Sequence, residues 1–459
     1  MNMDLVIKNG KIVTASDAYE TDIGIENGKI VGIGKGFEGN ETIDAKGMFV
    51  FPGGVDVHTH LDMPFMGASS SDDFETGTIA AVFGGTTSIV DFALQTVGKS
   101  LADGIASWKK KAEGKAVIDY GFHIGVVDVN DSIIREMETM VREGVTSFKL
   151  FLAYKGTLMV DDGAFFQVLE KARDIGALVM VHAENGYLID VFTKRLLAEG
   201  KIEPWYHAEA HLPILEAEAA ARAIALAEAA SAPLYIVHTS CGGALESVKR
   251  ARERGLPVYA ETCPQYLLLD VERYKEPNFG GAKYVMSPPL RAKWDQDILW
   301  SGLRAGGLQA ISTDHCPFFM KGQKDMGKDN WAKIPNGCPG IETRIPLIYS
   351  EGVGTGRISI NKFVELCCTN PAKLLGMYPR KGTIAPGSDA DVVIFDPEKE
   401  VTLSWKNLHQ RVDYTPYEGM TMKGYPVKVI VNGELKVDNG KFVGRKGTGK
   451  FIRRDKFRV

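Results

Sequence analysis

The sequence predicts an α/β protein in which a (β/α)8 barrel stands beside a discontinuous β-sandwich built from both chain ends. Eight short β-rich runs lie between residues 53 and 315, most of them followed by a helical pattern. Strand patterns broken by Asn-Gly pairs occupy both ends, and neither end alone has enough strands for a two-layer core. The length agrees: a barrel takes about 250 residues or more as one unit, so 459 residues leave material for one further domain.

In chain order, residues 5–13 and 23–31 read as strand, turn, strand, centred on Asn9-Gly10 and Asn27-Gly28. The barrel runs follow at 53–60, 87–93, 119–125, 147–153, 177–184, 233–240, 257–264 and 308–315. Between them, Asp161 and Asp162 open an apolar-periodic helix that reaches Ile175 and is closed by Gly176. Residues 213–230 are rich in the helix formers Ala, Glu and Leu. Residues 389–395 read as a further strand, and 427–437 repeat the hairpin pattern around Asn432-Gly433. Residues 1–52 and 379–459 are therefore assigned to the sandwich and 53–378 to the barrel. The basic end of the chain, 444–459, is short of large apolar groups and reads either as a solvated tail or as an arm that docks on a neighbouring subunit.

In such a barrel the active site lies at the C-terminal ends of the strands, and polar residues collect there. Asp56-Val57-His58-Thr59-His60 ends the first run, Lys149 lies in the fourth, His182 in the fifth, His238 in the sixth and Asp314 in the eighth. Residues i and i+2 of a strand share a face, so His58 and His60 can present both imidazoles to one ion. One His-x-His pair is weak evidence, but six candidates on one rim make the ligand set of a two-metal hydrolytic centre. His123, in the third run, has no partner in this scheme and is expected in the core or behind the site. His207, His211 and His409 lie away from the strand ends and are expected to have no part in it.

Composition narrows the function classes. With 54 Lys+Arg against 58 Asp+Glu the net charge is −4, which asks for neither nucleic acid nor an anionic membrane surface; a small neutral partner fits better. The first ten residues carry no basic region before an apolar one, and no stretch reaches membrane-spanning length, so a cytoplasmic protein is expected. The six cysteines form no Cys-x-x-Cys pair and are expected as reduced thiols. Cys316 adjoins Asp314-His315 but lacks a dedicated base nearby, so a packed residue is expected there rather than a nucleophile.

Taken as an ordered set, Asp56-Val57-His58-Thr59-His60, Ser147-Phe148-Lys149, Val181-His182-Ala183-Glu184, Val237-His238-Thr239-Ser240, Glu261-Thr262-Cys263-Pro264-Gln265-Tyr266, Met286-Ser287-Pro288-Pro289-Leu290-Arg291 and Ser312-Thr313-Asp314-His315-Cys316-Pro317 resemble the amidohydrolase superfamily. Within it they are most similar to the cyclic amidases called hydantoinases or dihydropyrimidinases, and the resemblance covers nearly the whole chain. It implies two divalent ions per subunit, Zn2+ as the first choice, holding one hydroxide between them. By the same resemblance His58 and His60 with Asp314 hold the more buried ion and His182 with His238 the more exposed one. An ammonium would be repelled by two dications, so Lys149 is expected as a carbamate formed from carbon dioxide, bridging them as N6-carboxylysine. Asp314 would also carry the proton from the attacking hydroxide to the leaving ring nitrogen, and Tyr154 would donate to the oxyanion. The implied assembly is a homotetramer.

The substrate class follows from what is present and what is missing. A dihydroorotase-like site would place an arginine two residues after the second histidine to grip a carboxylate, whereas this chain has Asp62. An uncharged ring needs amide-like partners, which the family supplies from backbone groups at the positions of Ser287 and Asn336. Met63, Phe65, Phe151 and Leu158 offer an apolar wall for an exocyclic substituent. The expected reaction is hydrolysis of 5-substituted hydantoins and/or dihydropyrimidines to N-carbamoyl amino acids. Allantoinase and dihydroorotase-like amidases are the competing enzymes. Non-enzymatic relatives of dihydropyrimidinase have lost metal ligands, and every ligand position here carries a competent side chain.

Overall fold

The structure is a computed structural model and describes residues 2–458. Eight parallel strands, Gly54–Thr59, Thr86–Leu94, Asp119–Gly125, Ser147–Phe151, Leu178–His182, Leu234–Ile236, Val258–Thr262 and Ala310–Ile311, pair in chain order and correspond one to one with the eight runs. Most of their residues are buried, because helices cover the outer face while side chains fill the inner one.

The ring closes through side chains as much as through backbone. Between the first and eighth strands there is one parallel bridge, Thr59 with His315, where His60 N donates to His315 O at 2.9 Å. Below it the carboxylate of Asp56 accepts from Thr313 Oγ1 at 2.6 Å and from Thr313 N at 3.2 Å. The buried guanidinium of Arg344 donates to Val55 O at 3.1 Å and Ile311 O at 2.8 Å. These contacts satisfy carbonyls and amides that a gap in the ladder would otherwise leave bare.

The outer helices begin and end where their chemistry dictates. The helix Asp162–Ile175 starts under the side chain of Asp161, which accepts from Ala164 N, and stops at Gly176 with φ 72°, a conformation in which a side chain is strained. The helix Pro213–Ala229 carries its proline in the first turn, where no amide hydrogen is missed.

Strands from both chain ends form one nine-stranded sheet. The strand Phe49–Pro52 pairs with Val392–Thr402, and a core of Leu5, Ile7, Ile23, Val50, Val392, Ile394 and Ile430 lies between its layers. Two of the three expected Asn-Gly turns are present. Asn27-Gly28 (φ 51° and 74°) and Asn432-Gly433 (φ 50° and 78°) both place two successive residues at positive φ, as a tight hairpin turn requires. The first is different: the strand Asn2–Val13 runs straight through Asn9-Gly10, with a shift of register between Ile7 and Gly10. Only Asn9 has positive φ there, so the pair makes a bulge and not a turn. Gly10 is required by close approach, since a Cβ would lie 2.4 Å from Val50 Cγ2.

The expectation of a solvated tail is overturned. Lys450 O accepts from Tyr120 N, Ile452 N donates to Tyr120 O, Arg454 N to Gly144 O and Phe457 N to Gly176 O, so the segment runs along the N-terminal face of its own barrel. Ile452 and Arg454 are buried there, and Arg454 Nη2 donates to Phe122 O at 2.6 Å and Ser147 Oγ at 2.8 Å. The sequence hid this because the anchors are few, Phe451, Ile452 and Phe457 among basic neighbours. No helix among the described residues is long and apolar enough to cross a membrane, and all six cysteines are buried and unpaired.

Candidate active site

One cleft opens at the C-terminal ends of the barrel strands. All the residues singled out in the sequence line it: His58, His60, Lys149, His182, His238 and Asp314 with Tyr154, Ser287, Asn336, Met63, Phe65, Phe151 and Leu158. Three of them, Tyr154, His238 and Asp314, have φ of 64°, 39° and 53°. Side-chain-bearing residues adopt that region at a cost, and such outliers gather where function over-determines the backbone.

At the inner end, Asp314 Oδ1 lies 3.2 Å from His58 Nε2 and 3.1 Å from His60 Nε2. Donor atoms of His58, His238 and Asp314 all lie within 4.8 Å of one another. His60 Nδ1 and His238 Nδ1 are buried with no hydrogen-bond partner. Imidazoles and a carboxylate converging in this way form a set into which a divalent cation fits. The two histidines of the first strand differ electrostatically. Burial opposes charge on His58, yet Asp314 and Glu261 outweigh it and lift the ring to about 9, whereas burial dominates at His60 and carries it down to about 4. Asp314, despite its burial, is held well below the usual carboxylate range by His58 and His60.

Lys149 sits between the two groups of histidines. It is buried, has no salt bridge among the described residues, and lies over the rings of Phe92 (5.0 Å) and Phe151 (5.3 Å). Burial, resisted by Asp314 and Glu261, brings its amine down to about 7. Near neutral pH a large share of this lysine is then the free amine, the nucleophilic state that can add carbon dioxide.

The outer wall has a polar side and an apolar side. Tyr154, three residues beyond the fourth strand, shares the cleft wall with Ser287 and Asn336, and Asn336 Nδ2 donates to Ser287 Oγ at 3.0 Å. Burial pushes the phenol up, so it remains a proton-bearing donor. Opposite, a short hairpin, Pro64–Phe65 with Ala68–Ser69, places Phe65 edge-on to Tyr154 at 5.4 Å between centroids. Cys316 also lines the cleft, but burial raises its thiol well above the usual range, in keeping with a packed residue.

Several residues behind the site escaped the sequence reading. Glu261, at the end of the seventh strand, accepts from His58 Nδ1, from Tyr235 Oη at 2.9 Å and from Ser312 Oγ, which fixes the His58 ring so that Nε2 faces the cleft. Glu184 holds the His182 ring by the opposite nitrogen, at 2.8 Å from Nε2, and is itself held by His211 Nδ1 at 2.9 Å. His211 was expected to have no part and belongs to this support. His207, beside it at 4.4 Å between centroids, donates from Nε2 to Met286 O, next to Ser287. Asp91 accepts from Thr59 Oγ1 and Leu61 N, both at 2.8 Å, and so turns the alternating residues His58 and His60 into the cleft. His123 is in the core as expected, bonded to Ser147 Oγ and Val57 O, and His409 stacks on Phe83 away from the site.

Comparison with known proteins agrees with this geometry. The model of the amidohydrolase family matches residues 49–436, and that of the urease alpha-subunit N-terminal domain matches 1–53. A D-hydantoinase of Geobacillus stearothermophilus is 52% identical over 99% of this chain and 97% of its own length. A D-phenylhydantoinase of Escherichia coli is 44% identical over 99% of both. The crystal structure of dihydropyrimidinase from Brevibacillus agri NCHU1002 superposes with a TM-score of 0.99 at 53% identity, covering all of both chains. The chain belongs to the amidohydrolase family.

Proposed function

We propose that this chain is a cyclic amidase that opens the ring of 5-substituted hydantoins and/or dihydropyrimidines to give N-carbamoyl amino acids. The observation that carries this reading is the single cleft in which four histidines, Lys149 and Asp314 form the floor and a tyrosine donor faces an apolar wall. Full-length similarity to D-hydantoinases and a dihydropyrimidinase supports it.

His58, His60, His182, His238 and Asp314, with Lys149 as its N6-carboxy derivative, would hold two divalent ions, Zn2+ in this proposal. When bound, the ions supply Lewis acidity and an activated water. Asp314 takes the proton of that water at a carboxylate oxygen as the ring carbonyl is attacked. It returns the proton to the ring nitrogen as the carbon–nitrogen bond breaks, so one water is consumed and no charge is left over. Tyr154 donates its hydroxyl to the carbonyl oxygen as charge develops there, and backbone groups around Ser287 and Asn336 hold the other amide edge of the ring. Met63, Phe65, Phe151 and Leu158 meet only the substituent. A cytoplasmic homotetramer completes the proposal.

The test is hydrolysis of hydantoin, dihydrouracil, allantoin and dihydroorotate side by side, with elemental analysis of the same sample. Turnover of the first two, close to two ions per chain and loss of activity with chelator are expected. Turnover by metal-free protein, or of dihydroorotate alone, overturns the reading.

A further inference from the structure

Lys324 is wholly buried at the start of a short helical turn, Lys324–Gly327, and no carboxylate pairs with it among the described residues. An ammonium without a counter-ion is costly to bury unless its donors are satisfied. Here Nζ donates to two backbone carbonyls, Val285 O at 2.9 Å and Pro335 O at 3.1 Å. Those carbonyls belong to segments distant in sequence that meet at the cleft: Val285 is two residues before Ser287, and Pro335 directly precedes Asn336. Gly337 N also donates to Val285 O at 2.9 Å, so the two segments are fastened to each other and to Lys324. On the cleft side, the same segments present the Ser287 and Asn336 side chains, which bond each other and line the cleft with Tyr154.

The neighbouring residue reaches the opposite wall. Gln323 Nε2 donates to Ser69 O at 2.8 Å, on the hairpin that carries Phe65, while its Oε1 accepts from Phe319 N at 2.6 Å. Asp413 anchors this loop from the far side by accepting from Met320 N at 2.7 Å. Two consecutive side chains therefore run from one loop to the polar and apolar walls of the same cleft.

We propose that Lys324 is a positioning residue for the reaction, setting the distance between the Ser287 and Asn336 segments and through them the aim of the Tyr154 hydroxyl, with Gln323 registering the Phe65 hairpin on the same loop. This rests on the reading above that Tyr154 and the Ser287 and Asn336 segments face the reacting ring. Its two donors make Lys324 a spacer that a purely apolar side chain of similar length cannot imitate, since Val285 O and Pro335 O would lose their shared donor.

The test is a double-mutant cycle on purified holoenzyme with a hydantoin substrate, using Lys324→Met, Tyr154→Phe and the pair, and Lys324→Gln as the conservative variant. Lys324→Met is expected to lower kcat by roughly 10- to 100-fold with bound metal unchanged. In the Tyr154→Phe background its effect should be at least about threefold smaller, and Lys324→Gln should recover part of kcat by keeping a donor on one carbonyl. Equal losses in both backgrounds, or no recovery with Lys324→Gln, would show a merely structural lysine and overturn the inference. If Tyr154→Phe alone leaves turnover unchanged, it is the reading of the cleft that fails. If Lys324→Met does not fold, Lys324→Gln alone decides: a partial loss of kcat at unchanged melting temperature and metal content supports the spacer, and a kcat per bound metal equal to that of the unaltered chain overturns it.

Discussion

At the scale of single residues, the histidines are held by what stands behind them. Glu261→Gln keeps the shape but weakens the acceptor for His58 Nδ1. The expected outcome is a roughly 10- to 100-fold loss of metal affinity, read by competition with a chelator while the fold stays intact by circular dichroism. Lys149 makes a prediction with a sign. Burial brings its amine down to about 7, so it is mostly protonated at pH 6 and mostly free at pH 8. Only the free amine adds carbon dioxide. Reactivation of metal-free protein with Zn2+ and bicarbonate should therefore be roughly 10-fold slower at pH 6 than at pH 8. Lys149→Ala should not reactivate at either pH, and short carboxylic acids should restore part of its activity. Rates equal at pH 6 and pH 8 would remove the carbamate from the proposal. The six floor residues were legible because strand-end spacing alone puts them on one rim. Glu261 was not, since its importance comes from meeting a ring 203 positions away, and nothing near it in the chain announces that partner.

At the scale of elements, the hairpin Pro64–Phe65 with Ala68–Ser69 and the loop that carries Leu158 form the wall that a substituent meets. Trimming them should change selectivity and leave metal content alone. Phe65→Ala or Leu158→Ala is expected to shift relative kcat/KM between a small-substituent and an aryl hydantoin by roughly 10-fold, about what one hydrophobic contact discriminates. Equal losses on both substrates would count against a role in specificity. The eight barrel strands were readable because each is a short apolar run bounded by turn or helix signals. Asn9-Gly10 lies beyond what local pattern carries: the dipeptide permits a turn, but whether the strand turns or bulges depends on the partner at Val50, which is distant in sequence.

At the scale of the whole molecule, the C-terminal segment is part of the barrel's floor. Removing residues 445–459 uncovers Tyr120, Phe122 and the Ser147 hydroxyl that Arg454 engages. The truncated chain should lose on the order of 3 kcal/mol or more, the scale of deleting a buried side chain such as Ile452, and melt several degrees lower in calorimetry. A melting temperature equal to that of the full chain would show the contacts to be idle. Light scattering on the same samples reads the proposed tetramer, and a mass that falls on truncation would give the segment a second task between subunits. The overall architecture was legible because both ends repeat the same strand pattern, whereas the docking of the tail was not, because three apolar anchors among basic residues carry too weak a periodicity.

The sheet shared by both chain ends has a consequence in time. The strand Phe49–Pro52 leaves the ribosome early, but its neighbour Val392–Thr402 emerges only after roughly 340 further residues. At ordinary synthesis rates of about 5–20 residues per second that is on the order of tens of seconds with an open strand edge. Nascent chains halted before residue 392 should therefore bind chaperones or aggregate through that edge, and chains released whole should not.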